Sequence, residues 1–188
     1  MYKRQAEALN LIRNAKRPIV IPGGRLHGPG LADLQRFAEE FNLPVAVPQR
    51  RFHAFDSKHK NAGGRLPNRA NKALLDELKD SDLVLVIGER MLPSMTQNFS
   101  FPKAPVADQP FIHVWPDAEE VGRAYSPTLG IAAEPRVFLQ AMLDAGPGDV
   151  PPSRSGWVEK LNGLHKENMT WRGKSSNCLL YTSPSPRD

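Results

Sequence analysis

Two glycine-bearing turns, each closing an apolar run, hold the residues of this chain best suited to chemistry on a ligand. Gly23 and Gly24 follow Pro18-Ile-Val-Ile-Pro22, and Gly88 with Arg90 follows Leu83-Val-Leu-Val-Ile87. Glycine at such a place lets backbone N–H groups come close to a diphosphate, with a helix start behind them. A tight strand-to-helix turn also needs glycine on its own account. Gly28 and Gly30 do not complete a dinucleotide fingerprint, because the spacing is wrong. Asp117, just past Phe111-Ile-His-Val-Trp115, is the one acid that stands out, and it is placed to cap a short helical turn behind it.

Other chemistries find little support. The five histidines, at 27, 53, 59, 113 and 165, are scattered without the paired spacing or carboxylate neighbours of a metal site or a triad. Glu39 with Glu40, and Glu119 with Glu120, are sequence neighbours on helical segments and so diverge rather than converge as an acid/base pair. A single cysteine, Cys178, rules out an internal disulfide and a thiolate metal cluster, in keeping with a reducing compartment. The net charge of +5 owes much to the stretch from Arg50 to Lys72. That stretch is poor in stacking aromatics, so a solvated surface is expected there first, a phosphate-bearing ligand second and a nucleic-acid face last.

The elements that must position the turns follow from periodicity. At 188 residues, 40% hydrophobic and 24% charged, the chain has the make-up of one soluble domain with tails. Its apolar runs are strand-sized, too short to span a membrane, and no signal core follows Met1, so a cytoplasmic location is expected. Gln5 to Ala15 reads as a helix that stops before Pro18, and Leu31 to Phe41 as a second one leading into Leu43-Pro-Val-Ala-Val47. A helix from Asn68 to Lys79 feeds the Leu83 strand, and 91–109 reads as an irregular, proline-rich crossover. Phe111 to Val114 and Leu129 to Ala132 complete the strands that can be placed, and Pro135 opens the closing helix in its first turn. The segment 145–155 has linker composition, and Trp157 to Trp171 reads as a further helix with no obvious partner. The expected fold class is α/β, a Rossmann-like six-stranded parallel sheet flanked by helices, of the DHS-like NAD/FAD-binding type.

Four segments carry a resemblance to a known family. They are Lys16-Arg-Pro-Ile-Val-Ile-Pro-Gly-Gly24, Phe41-Asn-Leu-Pro-Val-Ala-Val47, Ser81-Asp-Leu-Val-Leu-Val-Ile-Gly-Glu-Arg90 and Phe111-Ile-His-Val-Trp-Pro-Asp117 with Ala-Glu-Glu-Val-Gly122. In that order and spacing, Gln5 to Leu143 resembles the central domain of thiamine-diphosphate-dependent enzymes, in the branch containing acetolactate synthase large subunits. The resemblance implies a three-domain subunit whose other two domains hold thiamine diphosphate and Mg²⁺. Such a subunit decarboxylates or condenses a 2-keto acid through the thiazolium ring as electron sink. The Gly-Asp-Gly metal motif is missing from this chain, where Gly148-Asp149 is followed by Val150. The chain is therefore expected to be inactive alone and to hold neither thiamine diphosphate nor Mg²⁺.

In several members of the family the central domain binds FAD or ADP across its strand ends, and in others it is a structural spacer. By that resemblance Gly23, Gly24, Gly88, Arg90 and Asp117 are the cofactor-binding candidates. Three departures count against a bound flavin: Trp115 replaces the first acid of the family's aspartate pair, Met91-Leu-Pro-Ser94 replaces its Phe-Asp-Asp-Arg, and Gly63-Gly-Arg-Leu-Pro67 stands where flavin-binding members have a glycine-histidine-glycine loop. An empty or ADP-holding crevice remains.

The domain reading is 1–146 for the central domain and 147–177 for a linker and helix toward a missing C-terminal catalytic domain. Residues 178–188, Cys-Leu-Leu-Tyr-Thr-Ser-Pro-Ser-Pro-Arg-Asp, match one reading frame of a transposase sequencing adaptor codon for codon and are set aside as non-native. The expected partners are the missing N- and C-terminal domains and further copies of the subunit, as a homodimer or homotetramer, with no nucleic acid and no membrane. The alternative is a non-catalytic nucleotide-binding or oligomerisation module on the same sheet, such as an electron-transfer flavoprotein domain. A sirtuin-like deacylase is disfavoured because no Cys-x-x-Cys pair exists.

Overall fold

The computed structural model describes residues 2–66 and 71–170. Its elements run α1 (Tyr2–Asn14), β1 (Pro18–Pro22), α2 (Pro29–Glu40), β2 (Val45–Pro48), β3 (Ala62–Leu66), α3 (Lys72–Lys79), β4 (Leu83–Ile87), β5 (Phe111–Trp115), β6 (Leu129–Ala132), α4 (Pro135–Ala145) and α5 (Ser153–Met169). All strand pairs are parallel, in the order β3-β2-β1-β4-β5-β6. Strand order reverses between β1 and β4, whose register runs from Pro18 opposite Leu83 to Pro22 opposite Ile87. In open α/β sheets, ligands bind outside the carboxyl ends of the strands at such a reversal. Gly23 and Gly88 stand there.

The strands are apolar throughout because both faces are covered, and alternation sorts their side chains. Val20, Leu83, Leu85 and Ile87 join α1, α2 and α4 in one core through Ile12, Phe37 and Phe138. Ile19, Ile21, Val84 and Val86 face the opposite way, toward Leu74 and Leu78 of α3, Phe101 of the crossover, and Trp157 and Leu161 of α5. At the amino ends of the strands, Asp82 accepts hydrogen bonds from the N–H groups of Lys16 (2.8 Å) and Arg17 (2.7 Å), tying the α1–β1 turn to β4.

The sixth strand lies where the sequence reading had a loop. Ala62–Leu66 pairs with β2, although Gly63 and Gly64 carry little strand propensity. Both glycines are needed for close packing. A Cβ at Gly63 would lie 3.0 Å from Pro44 Cβ, and at Gly64, where φ is +135°, 2.5 Å from a Leu74 methyl. The helix read from Asn68 begins at Lys72, with the Asn71 side chain accepting from the N–H groups of Ala73 and Leu74; Asn68 itself lies outside the described residues.

The last described helix, read from sequence as lacking a partner, packs on the sheet. Trp157 donates its indole N–H to the Pro18 carbonyl (2.7 Å), and Asn162 donates to the His59 and Ala62 carbonyls (both 3.0 Å). Arg154 is fully buried, and among the described residues no carboxylate forms an ion pair with it. Its guanidinium donates to the carbonyls of Ile12 (2.7 Å), Arg13 (3.1 Å), Ala15 and Phe41 (2.7 Å), at the C-terminal ends of α1 and α2. Helix ends leave their last carbonyls unpaired and carry partial negative charge, so a cation is favoured there. Burial pulls the Arg154 pKa down to about 10, with the nearby Asp82 charge opposing the fall, so it stays protonated at neutral pH. The adaptor-like tail and Cys178 lie outside the described residues. Among those described, no helix is long and apolar enough to cross a membrane.

Candidate functional site at the reversal of strand order

Sequence positions far apart meet where β1 and β4 end. The Gly23 N–H donates to the Ile87 carbonyl (2.8 Å) and the Arg25 N–H to the Gly88 carbonyl (3.2 Å), so the two glycine turns are laced backbone to backbone. A Cβ on Gly23 would lie 2.0 Å from the Gly88 oxygen. Gly88 has φ +74° and faces Pro135 and Arg25, whose side chains a Cβ there would meet at 2.8 and 3.0 Å. Close approach of two protein segments accounts for both residues.

Two residues that the sequence reading did not select lie at the centre. Glu89 is buried, its side chain 7% exposed, and it spans the two turns. Its Oε2 accepts from the Gly24 N–H (3.3 Å) and its Oε1 from the Arg90 N–H (3.0 Å). The Arg51 guanidinium, reaching over from the loop after β2, places Nε 3.7 Å from Glu89 Oε2. It also fills the space beside Gly24, where a Cβ would fall 2.4 Å from Arg51 Nη2. His113 on β5 donates from Nε2 to the Glu89 carbonyl (2.8 Å), which fixes its neutral tautomer, and burial lowers its pKa. A buried acid next to a glycine at the end of a central strand is the signal that marks Glu89; Arg51 belongs to the run of loop cations whose second reading is a phosphate-bearing ligand.

The remaining candidates divide. Arg90 is exposed and lies over the Trp115 ring at 5.2 Å from its centroid, with Arg25 on the same ring at 6.0 Å and paired to Glu134 at 2.9 Å. Such contacts favour a cation above an aromatic face. Asp117 is exposed and accepts from the Glu119 N–H (2.9 Å), the geometry of a cap on the turn behind it. The structure thus gathers Gly23, Gly24, Gly88 and Arg90 at one edge, while Asp117 serves its own turn. The histidines do not converge: His59 bonds Glu39 (2.8 Å) and His165 bonds the Ser57 carbonyl (3.0 Å). Glu40 pairs with Arg36, one turn back on α2. Among the described residues no group of three or more His, Cys, Asp or Glu side chains is gathered to hold a metal ion.

Comparison with known proteins supports the same family. Residues 5–142 match the family described as thiamine pyrophosphate enzyme, central domain. A probable sulfoacetaldehyde acetyltransferase of Rhizobium meliloti is 26% identical over 177 residues, covering 87% of this chain and 30% of the relative. A 3D-(3,5/4)-trihydroxycyclohexane-1,2-dione hydrolase of Clostridium perfringens is 32% identical over 168 residues, with 84% of this chain and 26% of the relative covered. A probable acetolactate synthase large subunit of Methanococcus aeolicus is 24% identical over 173 residues, 87% of this chain and 28% of the relative. The chain spans less than a third of the length of these relatives. With its six parallel strands in this order and its match from residue 5 to residue 142, the chain belongs to the central-domain family of thiamine pyrophosphate enzymes.

Proposed function

We propose that this chain is the middle domain of a thiamine-diphosphate-dependent enzyme that decarboxylates or condenses a 2-keto acid, as acetolactate synthase does. The observation that carries the reading is the family match across residues 5–142. The relatives named above differ in the reactions their names state, yet each matches over 84% or more of this chain. Thiamine diphosphate and Mg²⁺ would be held by neighbouring domains of the same subunit. The cofactor supplies the carbanion chemistry when bound. The part of this chain is then structural: a rigid parallel sheet between two cofactor-holding domains, with α5 leading toward the C-terminal one. Inactivity of the chain alone follows from that division of labour.

The same reading places the intact enzyme in the cytoplasm as a homodimer or homotetramer, and it takes residues 178–188 as non-native. Sequencing the coding DNA on both sides of the native segment tests it. Expected are an upstream domain carrying the glutamate that activates the cofactor's pyrimidine and a downstream Gly-Asp-Gly motif followed at a distance by Asn. Flanks that encode neither would overturn the proposal.

A further inference from the structure

We infer that Glu89 is a built-in anion that closes the nucleotide crevice of this domain, so that the strand ends hold neither FAD nor ADP. Only the expectation of a crevice at this edge comes from the family reading; the closure itself rests on how each donor there is used.

A diphosphate at a strand-to-helix turn is held by free backbone N–H groups. From Gly23 to Leu26 none is free. Gly23 donates to the Ile87 carbonyl, Gly24 to Glu89 Oε2, Arg25 to the Gly88 carbonyl, and Leu26 to the Gly23 carbonyl (3.1 Å). The first residues of α2 itself are no better supplied. Pro29 has no N–H, and the amides of Gly30 and Leu31 donate to the carbonyls of His27 (3.0 Å) and Gly28 (3.1 Å). On the β4 side the Arg90 N–H is held by Glu89 Oε1.

The space is taken as well as the donors. The Gly23 and Gly88 backbones are in contact, and the Arg51 guanidinium lies against Gly24. A phosphate would have to displace a nearly buried carboxylate from two amides and a guanidinium. Until it did so, it would meet the like charge of Glu89 at the two amides themselves, even with Arg25, Arg51 and Arg90 nearby. The carboxylate thus makes, from inside the chain, the contacts that a phosphate oxygen would make.

Isothermal titration of ADP, and separately of FAD, into the full chain and into Glu89→Ala and Glu89→Gln tests this. The wild-type chain should show no saturable binding up to about 1 mM ligand, and Glu89→Ala should bind ADP at least about tenfold more tightly than wild type. If Glu89→Ala does not fold, amide NMR on Glu89→Gln decides. Faster hydrogen exchange at Gly24 and an ADP-induced shift confined to the variant support the closure. Wild-type binding as tight as that of the variants, or variants that gain no ADP response at Gly24, overturns it. Neither result touches the family assignment, which the flanking coding sequence tests separately.

Discussion

Replacing Arg154 by Met keeps most of the apolar stem and removes the guanidinium that closes α1 and α2. Four carbonyls lose their donor, those of Ile12, Ala15 and Phe41 at buried bonds and that of Arg13 at a part-buried one. Each orphaned buried acceptor costs roughly 1–3 kcal/mol taken singly. Those costs do not add in full, because C-terminal turns can tighten and the buried charge itself no longer has to be desolvated. Hydrogen bonds to a charged donor contribute about 1.5–3 kcal/mol each, and we adopt a net loss of about 3–6 kcal/mol, roughly two such bonds. Against a total of about 5–15 kcal/mol for a domain, this is a large fraction. Arg154→Lys keeps the charge without the planar fork and should fall between wild type and Met. Urea unfolding followed by tryptophan fluorescence suits the measurement, since Trp157 lies one turn along α5 with its indole bonded to β1. A loss below about 1 kcal/mol for Arg154→Met, at unchanged denaturant slope, would refute the reasoning that this guanidinium fastens α5 to the sheet.

Further outcomes follow from the same geometry. Gly23→Ala should destabilise by about 3 kcal/mol or more, since its Cβ would meet the Gly88 backbone at 2.0 Å; a thermal midpoint within a degree or two of wild type contradicts the close approach. Gly156→Ala and Gly163→Ala, in α5 with nothing within 4 Å of a new Cβ, should each stabilise by about 0.5–1 kcal/mol, and a loss in urea melts would show that the helix is not formed as described. Burial lowers the pKa of both His113 and His165, so the unfolded chain binds protons that the folded chain does not. Stability from this source is complete above about pH 6.5 and declines as pH falls below it; a urea midpoint that rises between pH 7 and pH 5 would reverse the sign.

Much of the framework was legible because burial on both faces writes itself as continuous apolar runs. Pro18–Pro22, Leu83–Ile87 and Phe111–Trp115 are strands for that reason, and Pro135 begins α4 where a first-turn proline belongs. β3 escaped because Ala-Gly-Gly-Arg-Leu has neither alternation nor β-branched side chains; it is a strand through its pairing with Val45–Pro48 and its cover by α5, both tertiary effects. The role of α5 was hidden for a similar reason. Its buried set includes Arg154, Asn162 and His165, polar residues that a hydrophobic period does not register, and each is satisfied by a carbonyl distant in sequence. At the candidate site the glycines could be read from the strand–turn pattern, whereas the Glu89–Arg51 pair joins the ends of β4 and β2 and exists only once the sheet brings them together.

The central claim is that this segment scaffolds a thiamine-diphosphate enzyme and contributes no cofactor of its own. The most direct measurement is 2-keto-acid consumption by the purified parent subunit, with and without thiamine diphosphate and Mg²⁺, in a preparation freed of flavin and adenine nucleotides. The account predicts turnover that requires thiamine diphosphate and is unchanged by added FAD or ADP. Turnover that ignores thiamine diphosphate, or that returns only when a nucleotide is supplied, would contradict it.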